Sequence, residues 1–266
     1  MKRIVFLGTG NGMTLDLYNT CFSIQSDNEN FLIDTGGSVE IIRRLEKADI
    51  KLKDIKHMFI SHNHTDHILG LIWIFKKIGV DAIAGRIQNK INIYCNDIVY
   101  ESIAGISRLI LPQKIFEGVF KVIDFHVLEN GEKIQINGIN YEFFDINARG
   151  TKQFGFECFI NEKKVIFLGD ETINSNLYEK VNGADWVMHE AFCLDSEENI
   201  FHAYEKNHST VKTASEIMNK LNVKNLILYH TEETHGDDRK KLYLDEARKY
   251  FRGNAYVPND LEIIEL

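Results

Sequence analysis

Proline is almost missing from this chain: Pro112 and Pro258 are the only two in 266 residues. With no Pro-rich or Ser/Gly-rich stretch and no low-complexity segment, nothing marks a linker, and residues 1–266 are expected to form one domain. Cysteine is sparse as well. Cys21, Cys95, Cys158 and Cys193 lie far apart with no C-x-x-C pair, which argues against a disulfide framework and for reduced core thiols. No apolar run approaches the roughly 20 residues that a membrane-spanning helix needs, so no membrane partner is expected. The start, Met1-Lys2-Arg3-Ile4-Val5-Phe6-Leu7, is basic and then apolar, but a Gly-rich turn follows too soon for a secretory signal. A cytoplasmic location is expected. Positive charge is scarce too: 31 Lys and Arg against 39 Asp and Glu give a net charge of −8. That balance argues against broad, sequence-blind nucleic-acid binding, which rests on clustered cations, and leaves room for an enzyme with a local basic groove.

What the chain does have is histidine concentrated in one place. The run Ser61-His62-Asn63-His64-Thr65-Asp66-His67 sets four metal-competent side chains into six positions, directly after the apolar Met58-Phe59-Ile60. His62 and His64 are two apart, so on an extended backbone they point to the same side and can converge on one ion. Asp66 and His67 are neighbours, and where the chain turns into a helix they can face a second ion. Neutral imidazoles with a carboxylate suit zinc, and carboxylate-rich sites also accept manganese or iron. The bland alternative is a His-rich surface loop with Asp66 as a helix cap, but so dense a cluster in one tract reads as a metal site.

Periodicity places strands near 3–7, 20–26, 30–34 and 56–61 and amphipathic helices near 38–48 and 67–79. The middle section, 91–145, reads as strand-rich, with turns at Asn130-Gly131 and Asn137-Gly138. Strands resume at 155–161 and 164–168 around a turn at Asn161-Glu162-Lys163. The last third alternates: strand 185–189, helix 209–221, strand 225–229, helix 237–251 and a terminal strand at 261–265. Five apolar runs end in an acidic residue or a histidine: those reaching Asp34, His62, Asp170, His189-Glu190 and His230. Strand ends in layered α/β proteins deliver polar tips to a common rim, so five such endings point to one site built from distant segments.

The tract His62-x-His64-x-Asp66-His67 resembles the signature of the metallo-β-lactamase superfamily. The other strand endings fall in that superfamily's order: Asp34 at its buttressing aspartate, Asp170 at the carboxylate that bridges two metals, His230 at the last ligand. The match runs from Ile4-Val5-Phe6-Leu7-Gly8-Thr9-Gly10 to the final strand. It implies an α/β (α+β) chain folded as a four-layer αββα sandwich, single-domain, with the site between the loop edges of two sheets. His189-Glu190-Ala191-Phe192 and His208-Ser209-Thr210 are similar to two motifs of the ribonuclease Z subgroup. By that resemblance Glu190 orients His208, which protonates the leaving oxygen, and Asp66 orients the attacking water. Zn2+ is the implied cofactor, with Mn2+ or Fe as substitutes, held in two sites: His62, His64 and Asp170 in one, Asp66, His67, Asp170 and His230 in the other. A homodimer is also implied. Read without the resemblance, His208-Ser209-Thr210 is a helix start capped by Ser209 or Thr210, and Asp34 is a loop cap.

Three departures stand out. Where the family has its remaining histidine ligand, Asp145-Ile146-Asn147-Ala148-Arg149 has none; Asn147 is the nearest match, and an amide is a poorer zinc donor than imidazole. The interval from there to Asp170 holds only a short hairpin, where ribonuclease Z carries a long arm that grips tRNA. The loop with an Arg-Asn pair in ribonuclease Z reads Leu17-Tyr18-Asn19 here. The expected function is a binuclear-metal phosphodiesterase, an RNA-processing endonuclease by resemblance. The alternatives are an enzyme on a small phosphodiester or other ester, and a non-catalytic metal-binding relative. Gly8-Thr9-Gly10-Asn11-Gly12 is read as a turn near the substrate, since no helix pattern follows it. His57, His126, His202 and His235 are read as surface or packing residues. Lys152 and Arg149 are read as solvated charge, with contact to a substrate phosphate as the alternative.

Overall fold

The computed structural model describes residues 2–26, 29–87 and 89–266; Met1, which opens the basic-then-apolar start, lies outside them. The first half of the chain builds one sheet. Strands β1 (Lys2–Gly8), β2 (Cys21–Ser26) and β3 (Glu29–Ile33) form an antiparallel meander, and β4 (Ile55–Ile60), β5 (Ile91–Cys95) and β6 (Ile123–Val127) extend it in parallel. Parallel steps require crossovers. They are α1 (Glu40–Lys47), α2 (Thr65–Ile83) and the pair α3 (Asp97–Ile110) and α4 (Gln113–Val122). The second half repeats the plan. Strands β7 (Lys133–Ile136), β8 (Ile139–Asp145), β9 (Phe154–Ile160) and β10 (Lys163–Phe167) are antiparallel. Then β11 (Trp186–Glu190), β12 (Asn225–Tyr229) and β13 (Asn254–Tyr256) add in parallel. Their crossovers carry α5 (Tyr178–Val181), α6 (Glu198–Phe201), α7 (Val211–Lys220) and α8 (Arg239–Tyr250). Finally β14 (Ile263–Glu265) returns to pair with β1, giving two sheets of seven strands.

The strands are apolar on both faces because each face is covered. In β1, Ile4 and Phe6 enter the layer between the sheets, while Val5 and Leu7 pack under the helices of the first half. In β12, Ile227 and Tyr229 face that shared layer, and Leu226 and Leu228 face the outer helices of the second half. The order helix, sheet, sheet, helix is the expected αββα sandwich. Aromatic rings fill the middle: Phe31, Phe59, Phe143 and Phe167 all pack around Phe156, with ring centroids 5.4–6.4 Å from it.

One expectation is overturned. The stretch 97–122 is two helices, not strand. Asn96 caps α3 by accepting from Val99 N at 3.0 Å, and Val99, Ile103 and Ser107, four apart, form its buried stripe. The Ile and Val content of this segment is that of a strand; the cap and the helical stripe prevail over it. Helix α4 starts after Pro112 and crosses α2 closely. A Cβ on Gly79 would meet the Ile115 carbonyl at 2.7 Å, so only glycine permits that approach. The turns read from sequence are present: Asn137 and Gly138, and Asn161 and Glu162, each take positive φ in a two-residue hairpin loop. No described helix is long and apolar enough to cross a membrane.

Candidate metal centre

Every strand ending singled out in the sequence arrives at one rim. Asp34 follows β3 and Ser61-His62 follows β4; Asp170 follows β10, Glu190 ends β11 and His230 follows β12. His64 is the N-cap of α2, so Asp66 and His67 occupy its first turn. Two groups of donors result, with ligand atoms mutually within 4.8 Å: Asp66, His67, Asp170 and His230, and His62, His64 and Asp170. Asp170 Oδ2 lies 3.2 Å from His62 Nε2, 3.3 Å from His67 Nε2 and 3.5 Å from His230 Nε2. Asp66 Oδ2 lies 3.3 Å from His67 Nε2 and 3.5 Å from His230 Nε2. His62 Nε2 and His64 Nδ1 are 3.0 Å apart, the same-side convergence that their spacing predicts.

Asp34 organises both groups. Its Oδ2 accepts from His67 Nδ1 at 2.9 Å and from Ser61 Oγ at 2.7 Å, and its Oδ1 accepts from Ser61 N at 2.8 Å. Because Ser61 Oγ donates to Asp34, it is left to accept from His62 Nδ1, 3.0 Å away. Both histidines are thereby held through Nδ1, so that Nε2 of each faces the shared space and is the atom turned toward a metal. The buttress role of Asp34 is what its side chain shows. Asp34 and His230 both take positive φ, 55° and 57°, a backbone region that non-glycine residues seldom occupy. Behind His230, buried Arg239 donates to Thr231 Oγ1 at 2.8 Å and to the Pro258 carbonyl at 2.7 Å, fixing that turn. Behind Asp170, buried Gln153 accepts from Asp170 N at 3.3 Å, a support that sequence reading missed.

The donor chemistry fits a divalent cation. His67 Nε2, His230 Nε2 and Asp170 Oδ1 are buried with no hydrogen-bond partner, and all three belong to the two donor groups. Orphaned buried polar atoms are costly unless something satisfies them, and a cation at this point would. Burial pushes the Asp66 and Asp170 carboxyls up, but the surrounding imidazoles outweigh it and hold both well below the usual carboxylate range. Both are ionised, as ligation requires. Asn147 is exposed, takes positive φ, and its Nδ2 donates to the Asp145 carbonyl at 3.3 Å; it lines the cleft that also contains His208.

Glu190 and His208 meet beside the second group. Glu190 Oε1 accepts from Ser209 N at 2.6 Å, and Oε2 lies 3.6 Å from His208 Nδ1. The His208 ring lies flat on Phe192, 4.6 Å between centroids at 7°, and its centroid is 5.2 Å from that of His230. Burial lowers the His208 pKa, but the Glu190 and Asp170 carboxylates raise it further, so the net shift is upward. Thr210 also caps α7 with a capping box through Thr213, so the helix-start reading of that triplet holds and leaves the His208 side chain beside Glu190. Gly12 packs against Asp66: a Cβ there would come within 3.1 Å of Asp66 Oδ2, placing the glycine-rich turn at the site. Asn19 links that turn to Gly37 by donating to the Asn11 carbonyl at 2.8 Å and accepting from Gly37 N at 3.1 Å. His57 and His126 stack on Tyr94, and His235 pairs with Glu197 at 2.8 Å, which are packing and surface roles.

These features define a member of the metallo-β-lactamase superfamily, in its ribonuclease Z-like subgroup. The superposition with YhfI of Bacillus subtilis, a metallo-β-lactamase fold protein, has a TM-score of 0.80 at 15% identity and covers 100% of this chain and 99% of that one. Human tRNase Z, short form, superposes with a TM-score of 0.74 at 20% identity, over 99% and 98% of the two chains. The ribonuclease Z of Archaeoglobus fulgidus is 23% identical over 99% of this chain and 97% of its own length. More narrowly, residues 2–244 match the family model of the anti-Pycsar protein Apyc1, and the chain belongs to that family.

Proposed function

We propose that the chain is a metal-dependent hydrolase that cleaves phosphodiester bonds at a two-metal centre. The observation that carries this reading is one buried carboxylate, Asp170, shared by two donor groups beside the Glu190–His208 pair. His62, His64 and Asp170 would hold one ion; Asp66, His67, Asp170 and His230 would hold the other. When bound, such a pair activates water and polarises a phosphoryl oxygen. Asp66, kept ionised by His67 and His230, orients the attacking water and accepts its proton. As the water oxygen bonds to phosphorus and the P–O bond to the leaving group breaks, His208 gives its proton to the departing oxygen. Glu190 favours the charged form of the His208 ring, and Phe192 covers one face of it.

Likeness to ribonuclease Z supports an RNA substrate and tRNA 3′ processing. The segment between Asn147 and Asp170 favours a smaller phosphodiester: β9 and β10 are joined by two residues, Asn161 and Glu162, leaving no arm to grip a large RNA. The reading includes zinc as the metal, given four imidazoles in the donor set, a cytoplasmic location and, by resemblance, a homodimer. The test is hydrolysis of bis(p-nitrophenyl) phosphate against cleavage of a pre-tRNA, with metal content measured on the same sample. Turnover of the small diester with about two equivalents of zinc per chain supports the proposal. Cleavage of pre-tRNA alone overturns the small-substrate reading. A single ion and no turnover under zinc or manganese supplementation makes the chain a non-catalytic relative.

A further inference from the structure

The loop between β8 and β9 carries two cations, and they are treated differently. Lys152 is engaged: its Nζ lies 2.7 Å from Asp97 and above the Phe154 ring. Arg149 is exposed, and among the described residues its guanidinium makes no ion pair and no hydrogen bond; only its backbone N–H is bonded. That backbone is held firmly. Glu171, 6% exposed, accepts from Arg149 N through Oε2 at 2.8 Å and from Gly150 N through Oε1 at 3.1 Å. Thr151 Oγ1 then donates to Asn63 Oδ1 at 2.9 Å. The loop is therefore tied to the residue after Asp170 on one side and to the residue between His62 and His64 on the other.

Both oxygens of Glu171 accept from backbone N–H groups, and the Arg149 guanidinium keeps its fork of donors. Arg149 and His208 line the same cleft, about 360 Å3 in volume, in which Arg149 is the one Lys or Arg. We propose that Arg149 is a substrate-binding residue that takes the non-bridging oxygens of an anionic phosphoester beside His208, and so selects phosphodiesters over neutral esters. This rests on the hydrolase reading above. A guanidinium matches two phosphate oxygens at once, which a lysine does not. Anchoring the backbone at both ends removes part of the ordering cost that a free loop would incur on binding.

The test compares metal-loaded wild type, Arg149→Ala, Arg149→Lys and Lys152→Ala by kinetics on bis(p-nitrophenyl) phosphate and by calorimetric titration with inorganic phosphate. Arg149→Ala is expected to raise both the KM and the phosphate Kd by roughly ten- to a hundredfold, with the metal content of wild type. Arg149→Lys recovers part of the loss, and Lys152→Ala stays within about twofold. Wild-type KM and phosphate Kd in Arg149→Ala would overturn the proposal, as would an equal loss in Lys152→Ala. If wild type itself fails to hydrolyse the diester, the hydrolase reading falls, while the phosphate titration still decides the role of Arg149.

Discussion

The two donor groups that share Asp170 are not built alike. The second takes Asp66, His67 and His230, all largely buried, and Asp34 bonds His67 directly. The first takes His62, which is buried, and His64, which is exposed, and Asp34 reaches it only through the Ser61 hydroxyl. Its His and Asp donors number three against the four of the second group. A ligand fixed directly by a buried carboxylate keeps its tautomer and ring orientation at little further cost, whereas one fixed through a rotatable hydroxyl is held less tightly. The asymmetry predicts two ions of unequal affinity, with the second group the tighter.

The largest way to break this comparison is to remove the tighter group's working carboxylate. Asp66→Ala should lower kcat on a phosphodiester by roughly 10²–10⁴-fold while circular dichroism stays that of wild type. Normal turnover in the purified variant would remove Asp66 from the mechanism. A more selective cut is Ser61→Ala, which severs the relay to His62 and leaves the Asp34–His67 bond in place. Metal affinity at the first group should fall by about 10–100-fold with the second unchanged, seen as one weakened step in a calorimetric zinc titration. Equal weakening of both steps would mean that the groups do not differ as described.

A third probe concerns the acid beside the second group. Burial lowers the His208 pKa, but the Glu190 and Asp170 carboxylates shift it upward overall, so its proton persists to higher pH than on an ordinary imidazole and is lost as pH rises through that raised value. Turnover should decline on that alkaline limb, and Glu190→Gln should move the limb to lower pH, with a several-fold loss at mildly alkaline pH. A pH profile indifferent to Glu190 would detach the pair from catalysis. The smallest effect belongs to Asn147→Gly, which preserves the positive φ. Zinc affinity should change by less than about twofold if the Asn147 amide stays on Asp145, and a clear loss would restore it as a ligand.

The parts of this site legible in the sequence are those that chain locality or strand geometry fixes. His62 to His67 form one tract, and Asp34, Asp170, Glu190 and His230 each terminate an apolar strand, so period and order sufficed to find them. The pairing of Glu190 with His208 needed a resemblance, because nothing in spacing brings a strand end and a pre-helix loop together. Ser61 belongs to the same tract, but its relay role depends on a side-chain rotamer. Gln153, Glu171 and Arg239 act through single long-range hydrogen bonds, which leave no periodic trace. The two helices over 97–122 were read as strand because β-branched content outweighed a four-residue stripe and an Asn cap. Asn147 sits one residue beyond Ile146, and its left-handed backbone, which no pattern reports, decides where its amide points.

The most direct test of the shared-carboxylate centre is anomalous diffraction at the zinc edge from crystals grown with zinc. Two peaks about 3.5–4 Å apart, one on either side of Asp170, with the weaker beside His62 and His64, are the predicted result. A single peak, or two peaks that leave Asp170 without contact to either, would contradict it.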